Sequence, residues 1–349
     1  MDYDAARALA LKTWEYKQGE LVSLMIHIGR RLDLYTVVDR IGPAAANDVA
    51  QAAGLDERWV AEWLDGQAAA ALLDRSSDAR FSMTPEQRVV LIDETSLLHA
   101  GAVFNGGNPP ALTEQIVEAF RTGTGFTYEA QGSLLAKELD GMNMAWNRSF
   151  LLDVVMPLLD GVTDGLERGA RAIDVGCGGA VTLDALARKY PASVFHGVDQ
   201  SAHGIAIAQE RTADLDNVEV WTGGGEDLPT DPPYDFIMTL DIIHDLAFPT
   251  RVIGAIRNAL ADNGVWLVKD MRSAETFEGN QRNPLLPMMY GFSLTSCLAS
   301  ATSQPGGAAL GTLGLTPSRL ESMATEAGFS SFLVHKTDDP THLYYEIRP

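Results

Sequence analysis

Asp174, Gly176 and Gly178 stand together in a glycine-rich segment at the end of a short apolar run. Glycine allows the backbone to turn sharply and lets a ligand come close to its N–H groups. A carboxylate beside such a turn can attract a positively charged ligand group. An amphipathic segment, Thr182 to Lys189, follows at once. The order predicts a strand, a tight turn and a helix that bind a small charged ligand.

The spacing of the glycines distinguishes between two kinds of ligand. A dinucleotide-binding turn has glycine at three positions, and the third glycine allows the helix to pack closely on the strand. In this chain the third position is Val181, and an acid, Asp174, precedes the first glycine by two residues. The pattern therefore argues against a nicotinamide dinucleotide. It resembles instead a motif of S-adenosylmethionine (SAM)-dependent methyltransferases, which implies SAM as the ligand. SAM carries a sulfonium and an ammonium group, which a carboxylate complements, and it has no pyrophosphate.

Two segments carry a resemblance to a known family. The pattern Asp-x-Gly-x-Gly-x-Ala over residues 174–180 resembles the first motif of class I SAM-dependent methyltransferases, and residues 197–199, Gly-Val-Asp, are similar to the second. The resemblance implies that Asp199 binds the ribose hydroxyls of SAM, with Gln200 beside it in the cofactor site. The alternative is that Asp199 only caps the helix that starts near Ala202.

The adenine site departs from the family pattern. Relatives commonly have an Asp that meets the adenine amino group where this chain has Gly224. The resemblance then leaves two candidates for adenine recognition, the backbone groups around Gly225 or the carboxylate of Glu226. Asp241, which follows the next apolar run, is expected in the wall near the methionine end of SAM.

His244 and Asp245 are the candidate catalytic residues. They follow the predicted fourth strand, at the edge of the sheet where ligands bind in open α/β folds. Methyl transfer to a protonated oxygen or nitrogen needs a base, and histidine has a suitable pKa. Residues 243–246, Ile-His-Asp-Leu, resemble a Leu-His-Asp-Trp segment of plant-type and polyketide O-methyltransferases, which implies that His244 is the general base. Asp245 and Asp270 are candidates for orienting it; alternatively, His244 caps a loop or lies over the cofactor.

The alternation of apolar runs and amphipathic segments predicts an α/β fold, a mostly parallel sheet with helices on both faces. With the resemblance, residues 166–349 are expected to form the seven-stranded, Rossmann-like class I methyltransferase fold, whose last strand is antiparallel. Strands are predicted near 172–175 and at 193–198, 218–222, 234–240, 265–269, 331–335 and 342–348. Residues 271–315 interrupt this pattern and contain glycine hinges, which indicates an active-site lid.

Residues 1–95 are predicted to form a winged-helix domain. Helices are expected at 20–30, 47–53 and 57–69, and a hairpin near 72–84. Residues 48–75 contain six acidic side chains against two arginines, whereas a DNA-binding helix is basic. We therefore expect this domain to mediate a homodimer. Its apolar residues are expected to form the dimer surface or to fill the domain core: Met25, Ile26, Leu32, Leu34, Tyr35 and Val38.

A helical connector is predicted over residues 96–165. Met142, Met144, Trp146 and Phe150 are concentrated in it, with Arg148 beside them. Methionine and aromatic side chains at helical spacing usually belong to a core. In related enzymes the matching connector covers the substrate pocket, and both interpretations stay open.

Composition narrows the possible partners. The chain has 349 residues, room for two domains, and a net charge of −21, which repels nucleic acid and anionic membranes. Its two cysteines, Cys177 and Cys297, indicate a reducing compartment. Without a charged-then-apolar leader or a membrane-length apolar run, a cytoplasmic protein with a small-molecule substrate is expected.

A metal is not expected from the sequence. Some C-methyltransferases of this architecture hold iron with two histidines, of which one matches His244. The other would lie in the insertion, but residues 271–334 contain no histidine.

These observations lead to one main functional hypothesis. It is SAM-dependent methylation at oxygen or nitrogen of a small, aromatic or apolar metabolite. The glycine-rich run after Tyr290 resembles that of an actinobacterial and nematode group of winged-helix methyltransferases, which does not indicate the substrate. The alternatives are a C-methyltransferase or non-methylating SAM-binding enzyme of the same fold, and a ligand-sensing winged-helix regulator.

Overall fold

The chain folds into two compact units, residues 1–108 and 109–349. The computed structural model describes residues 1–104 and 106–349, without the side chains of 133–135, 138, 142, 143, 145, 148 and 149. The predicted connector, residues 96–165, is divided between the two units, and most of it belongs to the second. Met142 and Arg148 of the connector lie outside the described side chains.

The first unit is helical with a short antiparallel hairpin. Asp56 begins one of its helices by accepting the N–H groups of Arg58 and Trp59, and Thr84 caps another through Gln87. The elements are α1 (Tyr3–Arg31), α2 (Leu34–Ile41), α3 (Ala46–Ala53), α4 (Glu57–Ala69), β1 (Asp74–Arg75), β2 (Phe81–Ser82) and α5 (Pro85–Leu91). The helices and hairpin lie close to their expected positions, but α2 and α5 are additional.

Helix α1 differs most from expectation. It begins at Tyr3, where Asp2 caps it, and not near Glu20. Residues 1–21 are exposed, including several large apolar side chains: Leu9, Leu11, Trp14, Tyr16 and Leu21. Even so, no helix in the described part of the chain is long and apolar enough to cross a membrane.

The core of the first unit accounts for most of the residues that were candidates for a dimer surface. Ile26, Leu34, Tyr35 and Val38 are buried within the unit, together with Leu64 and other apolar residues. They fill the core because α1, α2 and α4 turn their apolar stripes toward one another. Most of the exposed large apolar side chains of this unit lie instead on α1, although Trp59, Leu97 and Leu98 are exposed elsewhere.

The second unit begins with helices. They are α6 (Pro110–Thr122), α7 (Gly132–Ala145) and α8 (Val162–Arg168). A short 3-10 helix, Glu129–Gln131, precedes α7, and a π-helical segment, Trp146–Val155, follows it. Another 3-10 helix, Met156–Leu158, completes the series. These segments together fill the long helical stretch that the sequence predicts within the connector, over 129–159.

A seven-stranded sheet forms the centre of the second unit. Its elements are β3 (Arg171–Val175), α9 (Val181–Lys189), β4 (Val194–Asp199), α10 (Ala202–Arg211), β5 (Val218–Thr222), β6 (Tyr234–Leu240), α11 (Pro249–Ala259), β7 (Leu260–Met271), α12 (Phe277–Asn280), α13 (Leu286–Phe292), α14 (Leu298–Ala301), α15 (Pro317–Glu326), β8 (Ser331–His335) and β9 (His342–Arg348). The strand order is β5-β4-β3-β6-β7-β9-β8, and β9 runs antiparallel to both neighbours. The predicted topology, with its last strand antiparallel, is confirmed.

Both faces of the sheet are buried, as expected for a parallel sheet with helices on each side. On one face, strand residues such as Phe236 and Leu267 pack with Leu186 of α9. On the other, Ile237 and Val268 pack with residues of α11 and α15. Alternate residues of one strand therefore face opposite layers of helices. Because both faces are covered, the carboxyl ends of the strands are where a ligand is expected to reach the sheet.

The segment between β7 and α15, predicted as a lid, is helical. It contains α12, α13, a π-helical segment Ser293–Cys297 and α14. Helix α14 and the π-helical segment contact the turn Ile243–Asp245 that follows β6. The insertion thus reaches the strand ends at which the catalytic residues were predicted.

Candidate active site at the carboxyl edge of the sheet

The glycine-rich turn after β3 has the conformation that the sequence predicts. Gly176 and Gly178 have φ of 81° and 50°, in the left-handed region that favours glycine. A Cβ on Gly176 would lie 2.5 Å from Cγ2 of Ile242, so the turn and the segment after β6 touch. A Cβ on Gly178 would meet nothing within 4 Å. The space beside Gly178 is therefore open to a ligand.

Asp174 is a buried carboxyl group, one oxygen of which has no partner among the described residues. Its side chain lies near the end of β3 in a residue that is 2% exposed, and Oδ1 forms no hydrogen bond with any described residue. Burial, and then the nearby Asp199 carboxylate, raise the pKa of Asp174 to about 7, against the opposing effect of Lys269. Buried polar atoms are normally hydrogen-bonded. The unpaired oxygen fits the ammonium group of SAM.

Asp199 links the glycine-rich turn to the next helix. Its Oδ2 accepts the N–H of Gly178 at 2.8 Å, and its Oδ1 accepts the N–H of Ser201 at 2.7 Å. Burial raises the pKa of Asp199, and these two hydrogen bonds oppose that shift. Ser201 itself caps α10. Each carboxylate oxygen has a second lone pair, so Asp199 can still bind ribose hydroxyls. Gln200 is exposed beside it.

The predicted adenine site lies after β5. Gly225 is buried, and a Cβ there would come within 2.9 Å of Val175. Glu226 is exposed, and its Oε2 lies 2.7 Å from the position that a Cβ on Gly224 would take. The Glu226 carboxylate thus occupies the space of a side chain at position 224, where relatives have an Asp.

Asp241 follows β6 directly and is already paired. Its φ is 61°, its carboxylate forms an ion pair with Lys269, and its Oδ1 lies 3.3 Å from Nε2 of His342. Burial opposes ionisation, but Lys269 and His342 hold the pKa of Asp241 below its ordinary value. Lys269 is 2% exposed, and its Nζ lies 4.1 Å from the ring centre of Trp146. The sequence contained a signal for Lys269, a lysine at the end of an apolar strand.

His244 lies between two carboxylates and is 3% exposed. Nδ1 is 2.7 Å from Oδ1 of Asp270, and Nε2 is 3.0 Å from Oδ1 of Asp245. Burial alone would lower the pKa of the imidazole, but the two carboxylates raise it well above its ordinary value. Both residues that were candidates for orienting His244 therefore contact it.

Two further side chains lie in the same cluster. The Tyr128 hydroxyl donates a hydrogen bond to Oδ2 of Asp245 at 2.5 Å. Donor atoms of His244, Asp245 and Cys297 all lie within 4.8 Å of one another. Tyr128 precedes α7, and Cys297 belongs to the insertion. No local pattern predicts these contacts, because both residues are distant from His244 in sequence.

The insertion also contains a cavity of about 290 Å³. Phe277, Tyr290, Leu310 and Leu313 contribute apolar lining, and the Thr312 hydroxyl, which is buried, forms no hydrogen bond within the described residues. Ser293, another lining residue, begins the π-helical segment that ends at Cys297. One turn of helix therefore connects this cavity with the cluster around His244.

Comparison with known proteins agrees with this geometry. Residues 166–328 match a family model described as a methyltransferase domain, and residues 20–93 match an Rv2258c-like winged HTH domain. Trans-aconitate 2-methyltransferase of Mycobacterium tuberculosis is 32% identical over 80 residues, which are 23% of this chain and 29% of that protein. The chain therefore matches less than a third of the length of this curated relative.

Solved structures match over nearly the whole chain. A putative O-methyltransferase from Nostoc punctiforme is 20% identical with a TM-score of 0.72, and the match covers 98% of both chains. Human N-acetylserotonin methyltransferase in complex with SAM is 17% identical with a TM-score of 0.70, covering 99% of this chain and 97% of that one. These matches confirm the fold. Together with the methyltransferase-domain match, they support SAM as cofactor. The chain therefore has the class I methyltransferase fold, with a methyltransferase domain preceded by a winged HTH domain.

Proposed function

We propose that this protein methylates an oxygen or nitrogen atom of a small, apolar or aromatic metabolite. The observation that carries the proposal is the position of Asp174 and His244 at the ends of two paired parallel strands. Val175 of β3 pairs with Thr239 of β6, and the segments that follow touch through Gly176 and Ile242. A cofactor at the first strand end and an acceptor at the second would be neighbours.

The cofactor-binding residues follow from the geometry of the turn. Gly176 and Gly178 would hold SAM against the backbone, and Asp174 would bind its ammonium group. Asp199, with Gln200 beside it, would bind the ribose hydroxyls. SAM supplies, when bound, a methyl group that a positively charged sulfur activates.

The adenine and methionine ends complete the proposed cofactor site. Gly225 and Glu226 would contact the adenine, since the Glu226 carboxylate fills the space beside Gly224. Asp241, paired with Lys269, would form the wall near the methionine end.

His244 and Asp245 are the proposed catalytic residues at the acceptor end. Their side chains lie 3.0 Å apart, and Asp270 and Tyr128 hold them from the far side of each group. Such support fixes two polar groups in one orientation, which is how an enzyme aligns a nucleophile. The pair would bind the O–H or N–H of the acceptor, and the carboxylate of Asp245, which His244 orients, would receive its proton.

The lining of the insertion cavity supports an apolar or aromatic acceptor. Phe277 and Tyr290 face this space with ring centres 6.5 Å apart, and Leu310 adds aliphatic surface. Ligand sites typically combine such surface with a few polar groups, here Ser293 and Thr312.

Calorimetry followed by a product assay tests the proposal. We expect the wild-type protein to bind SAM, and Asp199→Ala to bind it more weakly. Mass spectrometry should then detect S-adenosylhomocysteine when small phenols or aromatic amines are added. Absence of SAM binding in the wild type would contradict the proposal. Turnover of carbon nucleophiles alone would replace it with C-methylation.

We also infer that the first unit forms a homodimer. Residues 1–21 are exposed although they carry large apolar side chains, among them Leu11, Trp14 and Tyr16. Most helical stability in proteins comes from packing apolar side chains, and every residue in these turns of α1 is exposed. A second copy of the same helix would bury them.

A further inference from the structure

We propose that His244, Asp245 and Cys297 bind a divalent transition-metal ion of the zinc type. Their donor atoms lie within 4.8 Å of one another, and Nε2 of His244 is 3.0 Å from Oδ1 of Asp245. Imidazole nitrogen, carboxylate oxygen and thiolate sulfur are the donors that Zn²⁺ takes, at about 2.0–2.3 Å. Donors at such distances around one ion are themselves a few ångströms apart, as here.

Two ligand atoms of this cluster, Nε2 of His244 and Oδ1 of Asp245, face each other and are the ones that a metal would draw together. Asp270 binds Nδ1 of His244, so Nε2 is the nitrogen that remains for a metal. Histidine ligands of metals usually donate their other ring N–H to a carboxylate in this way. Tyr128 holds Oδ2 of Asp245, while Oδ1 is buried and, among the described residues, accepts no well-oriented hydrogen bond.

Burial and ligand number indicate what such an ion would do. His244 and Cys297 are buried, and the Asp245 side chain is 13% exposed. Three protein ligands with a fourth position open are typical of catalytic zinc sites, whereas structural sites have four. The open position would take the acceptor oxygen. This role rests on the proposed function, but metal binding itself does not.

The step balances with SAM as the methyl donor. With the metal bound, His244 and Asp245 would act as ligands and would not receive the proton. An acceptor hydroxyl at the open position would release its proton to water instead, because a bound metal lowers the pKa of such a group. The resulting oxygen anion forms the new O–C bond while the bond between carbon and sulfur breaks. The neutral products are the methyl ether and S-adenosylhomocysteine, and the metal keeps its charge.

Cobalt titration tests the site without using activity. The full-length protein, treated with a chelator and then titrated with Co²⁺, should bind one equivalent. It should show the thiolate-to-cobalt absorption band together with the visible bands of tetrahedral cobalt. Cys297→Ser should lose the thiolate band, whereas Cys177→Ser, the matched variant of the other cysteine, should retain it. Asp270→Asn should weaken cobalt affinity by about 10–100-fold.

The outcomes separate this inference from the proposed function. A wild-type spectrum without the thiolate band, or one that Cys297→Ser leaves unchanged, would overturn the metal site. If Cys297→Ser does not fold by circular dichroism, the loss of equimolar binding in Asp245→Asn decides instead. A protein that binds cobalt as expected but forms no S-adenosylhomocysteine with any acceptor would contradict the proposed function and leave the metal site standing.

Discussion

The Nδ1 atom of His244 lies 2.7 Å from Oδ1 of Asp270, which joins the ends of two neighbouring parallel strands. His244 follows β6, and Asp270 belongs to β7, where Lys269 pairs with Leu240. The hydrogen bond therefore fixes the imidazole to the sheet itself. The strand β7 therefore determines the orientation of the imidazole, and substitution of Asp270 should change the reaction measurably.

Asp270→Asn should reduce turnover more than it reduces SAM binding. Removing the charge that orients the imidazole leaves the cofactor turn intact, because Asp270 contacts His244 and its own strand rather than Asp174 or Asp199. We expect turnover to fall by about 10–100-fold, the usual loss for a residue that supports a catalytic or metal-binding histidine. Steady-state kinetics together with SAM calorimetry will measure both. Equal losses in turnover and SAM affinity would contradict the positioning role.

His244→Ala should abolish most of the activity. Loss of a positioned acid–base group costs about 10²–10⁴-fold in rate. SAM affinity should change little. Of the residues proposed to bind SAM only Asp241 lies in the same segment, and Lys269 holds its carboxylate. Single-turnover measurements of S-adenosylhomocysteine formation will test this. Wild-type turnover in the variant would show that His244 does not take part in the reaction.

SAM affinity should rise with pH in a way that depends on Asp174. Because its pKa is raised to about 7, the carboxyl group is mostly neutral below this pH and charged above it. Only the charged form attracts an ammonium group strongly, so SAM should bind more tightly as the pH rises through about 7. Asp174→Asn should remove this dependence and weaken binding by about 1.5–3 kcal/mol, roughly ten- to hundredfold. Calorimetry across this pH range measures both effects.

The same pKa predicts the stability of the SAM-free protein. An unfolded Asp has a pKa of about 3.9, so the folded state holds its proton more tightly than the unfolded state. The stabilising effect is complete below the unfolded pKa and is lost as the pH rises through the folded pKa. Above pH 7, Asp174→Asn should therefore melt at a higher temperature than the wild type without SAM. A lower melting temperature would contradict the burial argument.

Two alanine substitutions in one turn should separate folding from binding. Gly176→Ala places a Cβ 2.5 Å from Ile242 at a φ of 81°, so it should reduce both stability and SAM affinity. Gly178→Ala introduces only left-handed strain, about 1–2 kcal/mol, because its surroundings are open. It should nevertheless block SAM, which would occupy that space. Thermal melting and calorimetry will distinguish the two variants; unchanged SAM affinity in Gly178→Ala would place the cofactor elsewhere.

Trp14→Glu should shift the protein toward a monomer. Trp14 is 70% exposed in the part of α1 whose residues are all exposed. A charge at the centre of an apolar dimer surface is costly because it must lose water there. Thr13→Glu is the matched control, since it adds the same charge at the neighbouring exposed position. Light scattering after size-exclusion chromatography measures the mass; a monomeric wild type would contradict the dimer proposal.

The sequence was informative wherever the chemistry lies within one strand–turn–helix unit. Asp174, Gly176 and Gly178 lie within five residues, and Asp199 ends the next strand, so these short segments carry the family motifs that imply the cofactor. Helix α1 shows the opposite case. Its first turns have no apolar stripe that would reveal an amphipathic helix, and the helix begins at an Asp2 cap. Its true start, near Tyr3, was therefore missed.

The sequence by itself indicated the fold class and the seven strands, because these depend on local patterns that repeat along the chain, and its family motif indicated the cofactor. It also named Asp245 and Asp270 as neighbours of His244, but only the tertiary structure added Tyr128 and Cys297. Tyr128 and Cys297 are more than fifty residues away from His244 in sequence. Lys269 of β7 likewise forms its ion pair with Asp241 at the end of the neighbouring strand β6. Contacts of this kind arise from the packing of the connector and the insertion against the strand ends. No spacing in the sequence encodes such distances, since they follow from how separate segments fill the same volume.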